Sequence, residues 1–209
     1  MNKVFIIGLP RTGTTSISVA LLEYDFKVAH TAFTKQAFAL ADVVSDAPCF
    51  SDYKELDALF PNSKFVYLDR ALENWIPSIQ MLLKKMEERL DPVNGVFNPV
   101  LKRSFNEVFS LTTTKDPHTT EHLKNCYLQH KKEVYEYFSS RDDFISINLS
   151  DHDSLHTLLT FLNIDAKENK QFPHLNIGRQ VAGWKEHKHP NKVNANSAGV
   201  EHRKFFDYK

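Results

Sequence analysis

Residues 8–16 read GLPRTGTTS, a stretch whose residue types and spacing fit an anion-binding loop. The pattern is G-x-x-x-x-G-[KT]-[ST], entered by the apolar run of residues 3–7 and followed by a helical pattern through Leu22. Gly8 and Gly13 let the backbone turn and approach a ligand closely, and the N–H groups of residues 12–16 would then face an anion at a helix N-terminus. Thr14, Thr15 and Ser16 add hydroxyl donors, and Pro10 and Thr12 complete the loop. Arg11 contributes a guanidinium whose fork can grip a phosphate or neutralise a departing one. Position 14, where ATP-hydrolysing loops carry a lysine, is threonine.

A magnesium-bridged nucleoside triphosphate uses that lysine together with a metal-binding acid. Asp69, at the end of FVYLD, has the place of such an acid, but Arg70 follows at once and a cation there would oppose a magnesium ion. The loop is therefore expected to hold a phosphate ligand, with P-loop kinase or NTPase chemistry as the alternative.

Two stretches together resemble the sulfotransferases that use 3′-phosphoadenosine-5′-phosphosulfate (PAPS), and most of all a bacterial branch of them. LPRTGTTS (9–16) is similar to the 5′-phosphosulfate loop of that family, with Arg11 in the place of its Lys or Arg. KFVYLDRALENWIPSI (64–79) is similar to its 3′-phosphate motif, a strand ending in arginine followed by a helix with serine eight residues on; Arg70 and Ser78 have that spacing. An arginine leaving the carboxyl end of a strand stands where ligands sit in doubly wound sheets, and a turn and helix can return the serine beside it. The resemblance spans about residues 3–176, including SDAPCFSDYKELDALFPNSKF (45–65) and FLNI with FPHLN (161–164, 172–176). The insertion at 91–117 is unmatched. NIGRQVAGWKEH (176–187) departs from the C-terminal R-K-G-x-x-G-x-W motif, keeping Arg179, Gly183 and Trp184 in a different order.

The resemblance implies PAPS as sulfuryl donor, 3′,5′-bisphosphoadenosine as product, no required metal, and a small-molecule or glycan acceptor offering a hydroxyl or amine. Pro10, Arg11, Thr12, Gly13, Thr14, Thr15, Ser16, Arg70 and Ser78 would bind the donor. Sulfuryl transfer also needs a base, because the nucleophile loses its proton as the new bond forms. In cytosolic relatives the base is a histidine in an H-x-P stretch about twenty residues before the 3′-phosphate arginine. Here the stretch is D-A-P, with Asp46 in the equivalent place. A carboxylate serves if it is held near the acceptor and partly desolvated, which raises its pKa. His30, at the end of the second strand, is its rival. A catalytically silent nucleotide-binding module would share the loop and the 3′ motif and lack a productive base.

Such a site needs strands that end together. Strand-like runs occur at residues 3–7, 26–29, 64–68 and 143–147, with helical patterns between them at 15–23, 33–43, 53–60, 71–90, 119–139 and 150–164. That alternation predicts a three-layer α/β fold with a mainly parallel sheet of four or five strands and the phosphate loop after the first. Pro77 is expected to kink or restart the helix of 71–90. Residues 91–117 read as a less regular insertion with some helix, and 167–209 as a loop-rich tail in which His187 and His189 lack a third metal ligand at recognisable spacing.

The chain of 209 residues is expected to form one domain. Lys plus Arg and Asp plus Glu are 26 each, which argues against holding nucleic acid by bulk charge and leaves room for a local basic pocket. The two cysteines, Cys49 and Cys126, have neither zinc nor disulfide spacing. The N-terminal apolar run is too short for a signal peptide and no later run approaches a membrane span, so a cytoplasmic protein is expected.

Overall fold

Alternation with a period of two divides the strands between two cores, and this division sets the layers. The computed structural model describes residues 2–165, Phe172 and residues 183–198. In β1 (Val4–Ile6), Val4 and Ile6 enter one core and Phe5 the other; in β4 (Lys64–Asp69), Val66 and Leu68 oppose Phe65 and Tyr67 in the same way. With β2 (Val28–Ala29), β3 (Val43–Ser45) and β5 (Phe144–Asn148) they form an all-parallel sheet in the order β2-β3-β1-β4-β5.

One face packs against α1 (Thr14–Leu22) and α7 (Ser154–Leu162) through Ile17, Leu21, Leu155 and Leu158. The other is covered by α2 (Lys35–Leu40), α3 (Tyr53–Leu59) and the end of α6 (Thr120–Tyr137), which contribute Phe38, Leu56 and Val134. The expected three-layer α/β architecture is the observed one. A third core joins α4 (Leu72–Leu90), α5 (Pro99–Phe109) and the start of α6, with Trp75, Ile79, Leu83, Phe105 and Tyr127 buried. Leu9, Phe33 and Ala47 belong to it, so this helical lobe is seated on the loops that leave β1, β2 and β3.

Several boundaries differ from the sequence expectation. The helix expected over 33–43 is shorter, because the Thr34 side chain caps it by accepting from the Ala37 N–H at 3.0 Å, and Val43–Ser45 is a strand. Three residues are too few to show a period, yet they take the slot between β1 and β2. The helix 72–90 runs through Pro77 as one element, with the proline on its exposed side. The insertion holds a full helix, α5, capped by the Asn98 side chain with Pro99 in its first turn. α7 begins at Ser154, after a turn in which the Ser154 hydroxyl donates to the Asp151 carbonyl, and no side chain caps it. Among the described residues no helix is long and apolar enough to cross a membrane.

Candidate active site

The strand order places a topological switch at β1, which lies between β3 and β4, so the crevice for a ligand opens at the carboxyl ends of these strands. The residues singled out in the sequence follow those ends. The loop 8–13 leaves β1, His30 follows β2, Asp46 follows β3 and Arg70 follows β4.

The loop is held from below. Gly8 lies so close to β4 that a Cβ there would stand 2.9 Å from the Leu68 backbone nitrogen. The Trp75 indole N–H donates to the Pro10 carbonyl at 2.9 Å. Thr12 turns inward, its N–H and its hydroxyl both donating to the Leu9 carbonyl at 3.2 and 2.7 Å, so it closes the loop and does not present its N–H as expected. The first bond into α1 runs from the Ile17 N–H to the Gly13 carbonyl at 3.1 Å, which leaves the N–H groups of Thr14 and Thr15 at the open end of the helix. Ser16 is buried in the same turn. Gly13 has φ 113°, and non-glycine residues Arg11 and Asp46 also have positive φ, at 71° and 57°. Backbone strain of this kind costs on the order of 1–3 kcal/mol each and gathers where a surrounding structure enforces it.

Gly13 tests that strain directly. A Cβ there would meet Leu149 Cδ1 at 2.4 Å in addition to the unfavourable φ. Gly13→Ala is expected to lower the unfolding free energy by about 1–3 kcal/mol in urea titrations, with unchanged slope; an unaltered midpoint would show that the loop relaxes at no cost.

Two arginines meet over the loop. The Arg11 Nε–H donates to Ser78 Oγ at 2.8 Å, and an Arg70 terminal nitrogen donates to the Arg11 carbonyl at 2.5 Å. Ser78 thus bonds Arg11, where the sequence expectation set it beside Arg70. Burial first, and then the Arg70 charge, lowers the Arg11 pKa, and burial lowers that of Arg70. Among the described residues no carboxylate is within ion-pair distance of either guanidinium. Asp69 does not serve Arg70, because it is taken by Lys131 at 2.6 Å and by the Tyr127 hydroxyl at 2.7 Å. Such a pair of half-buried cations at a helix N-terminus could hold phosphate groups.

The two candidate bases stand side by side across the loop. The Thr14 hydroxyl donates to Asp46 Oδ2 at 3.2 Å, Thr15 Oγ1 lies 2.9 Å from His30 Nε2, and that nitrogen is 4.0 Å from Asp46 Oδ2. Their side chains are 17% and 15% exposed. Burial pushes the Asp46 pKa up against the opposing pull of His30 and the Thr14 hydroxyl, and burial pushes that of His30 down despite the Asp46 charge. Both shifts disfavour the charged form of the group concerned.

Sequence reasoning missed the buried supports of this pair. Ser18 Oγ donates to the Thr14 carbonyl at 2.7 Å and lies 2.7 Å from Ser45 Oγ, which is 3.2 Å from the His30 carbonyl. Trp184 covers the imidazole. A lone serine in a helix or strand carries no signal of its own, and Trp184 is brought in across more than 150 residues of sequence. Arg179 lies outside the described residues.

A family model described as a sulfotransferase domain matches residues 31–181. The match includes Asp46, Arg70 and Ser78 and begins after the loop, so the loop is an observation separate from it. No curated protein matches the chain. With well over half of its length matched, and with an all-parallel sheet whose strand ends gather these groups, the chain belongs to the sulfotransferase domain family.

Proposed function

We propose that this chain transfers a sulfuryl group from PAPS to a hydroxyl or amine of a small-molecule or glycan acceptor. The observation that carries the reading is the junction of the two motifs, with Arg11 bonded to Ser78 and Arg70 bonded to the Arg11 carbonyl. Two cations held together with no carboxylate of the described residues within ion-pair distance are suited to a ligand with a phosphate on each side of them, as a 3′,5′-bisphosphate has.

PAPS supplies the sulfuryl group and a leaving phosphate. The open N–H groups of Thr14 and Thr15 and the Arg11 guanidinium would hold the 5′ phosphate and stabilise the charge it gains as its bond to sulfur breaks. Arg70 would hold the 3′ phosphate, with Ser78, which is bonded to Arg11, as the second proposed donor. The acceptor oxygen or nitrogen forms the new bond to sulfur while its proton passes to Asp46, whose raised pKa suits a general base better than an ordinary surface carboxylate. His30, 4.0 Å from that carboxylate, is the second candidate for the proton. Asp69, engaged by Lys131 and Tyr127, is unsuited to hold a magnesium ion for the kinase alternative.

Ligands that bind the folded state raise its apparent stability. In thermal unfolding, 3′,5′-bisphosphoadenosine without magnesium is expected to stabilise the protein more than AMP at equal concentration, because AMP lacks the 3′ phosphate. Stabilisation by ATP with magnesium and none by the bisphosphate would favour the kinase-like reading instead.

A further inference from the structure

Residues 183–198 return to the sheet beside the site and are bonded to it on both sides of His30. Before His30, the Val28 N–H donates to the Asn191 carbonyl at 3.0 Å and the Val193 N–H donates to the Val28 carbonyl at 2.8 Å. After it, the Phe33 N–H donates to the Ala195 carbonyl at 2.9 Å and the Thr34 hydroxyl to the Ser197 carbonyl at 2.5 Å. The parallel bridge of Val28 with Lys192 covers the outer edge of β2. On the short helix α8 (Gly183–Glu186), Trp184 lies against the imidazole of His30, with ring centroids 5.4 Å apart and planes inclined by 32°. Lys192 fixes the indole in turn: its Nζ is 4.5 Å from the ring centroid and donates to the carbonyls of Trp184 at 2.5 Å and His187 at 2.6 Å.

We infer that this segment is a strap that holds His30 in register with the Thr15 hydroxyl and the Asp46 carboxylate, and that Trp184 and Lys192 are its positioning residues. The inference rests on the acid–base role proposed above for the His30 and Asp46 pair. An imidazole turns readily about its terminal torsion unless something walls it in. The hydrogen bond to Thr15 fixes one ring nitrogen, and the indole face limits the tilt of the rest. The charged groups acting on His30 are Asp46, from the turn after β3, and Lys192, from the strap; α1 faces it with the Thr15 hydroxyl, and the Ser45 hydroxyl of β3 reaches its carbonyl. Asp46 favours the imidazolium while burial and Lys192 oppose it, so the strap also helps to keep the ring uncharged.

The test follows the His30 ring by NMR across a pH titration of the full chain, without donor or acceptor, in wild type, Lys192→Met, Trp184→Ala and Trp184→Phe. Lys192→Met is expected to raise the His30 pKa, Trp184→Ala to displace the titration, and Trp184→Phe to restore it. An identical titration in all four proteins would overturn the strap; if Trp184→Ala does not fold, an unshifted titration in Lys192→Met overturns it. In sulfuryl transfer, Trp184→Ala is expected to lower kcat about tenfold with donor KM unchanged, the effect of a misplaced group. A rise in donor KM at unchanged kcat would place Trp184 at the nucleotide and overturn its positioning role. A displaced titration with kcat intact in both Trp184→Ala and His30→Gln would leave the strap standing and remove His30 from the chemistry.

Discussion

Asp46→Asn is expected to lower sulfuryl transfer by about a hundredfold or more, the usual scale for loss of a general base, while leaving bisphosphoadenosine binding nearly intact. The amide keeps the shape of the carboxylate and can still accept from the Thr14 hydroxyl that now lies 3.2 Å from Oδ2. It cannot take a proton. In the wild type, activity should fall on the acid side as Asp46 protonates, and that limb should lie above the ordinary carboxylate range, because burial raises the Asp46 pKa. In Asp46→Asn that limb should vanish from the residual activity. His30→Gln should have the smaller effect. Full turnover in Asp46→Asn with none in His30→Gln, and donor binding intact in both, would move the base to His30.

Arg70→Ala is expected to weaken 3′,5′-bisphosphoadenosine by about 2–4 kcal/mol, roughly 30- to 1000-fold in Kd, while AMP affinity barely changes. The size follows from the environment of the guanidinium. It is half-buried, the adjacent acid is held by Lys131 and Tyr127, and the Tyr127 hydroxyl accepts from the Arg70 N–H at 2.8 Å, fixing the backbone from which the side chain departs. A 3′ phosphate would supply the charge partner that Asp69 does not. Arg70 also donates to the Arg11 carbonyl, so a purely structural role would loosen the loop and weaken both ligands alike. Isothermal titration with the two nucleotides separates these outcomes.

What the sequence revealed and what it hid divide along physical lines. The strands before Gly8 and Arg70 were legible as short apolar runs, because both of their faces are buried, and their ends carry groups with chemical meaning. The spacing of Arg70 and Ser78 was legible as a pair, but the bond from Arg11 to Ser78 was not, because it depends on how the loop after β1 and the helix after β4 meet. β3 was hidden because Val43–Ser45 is too short to show a period, although it is what brings Asp46 to the site. Residues 91–117 were expected to hold some helix, but the bounds of α5 were not legible, because Asn98-Pro99 reads as a turn and is in fact a helix start, with Asn98 capping and Pro99 opening the first turn. Backbone pairing of residues 191–195 with β2 and the turn after it helps bring Trp184 and Lys192 to His30, and no local pattern announces it.

The central claim, that the gathered strand ends form a sulfuryl-transfer site, is tested most directly by incubating the purified chain with PAPS labelled in its sulfuryl group and a panel of phenols, sugars and amines, with a metal chelator present. The account predicts that label appears on at least one acceptor class in step with release of 3′,5′-bisphosphoadenosine, and that Asp46→Asn suppresses both. Tight binding of the bisphosphate with no label transferred to any acceptor would contradict it and leave a nucleotide-binding module that performs no transfer.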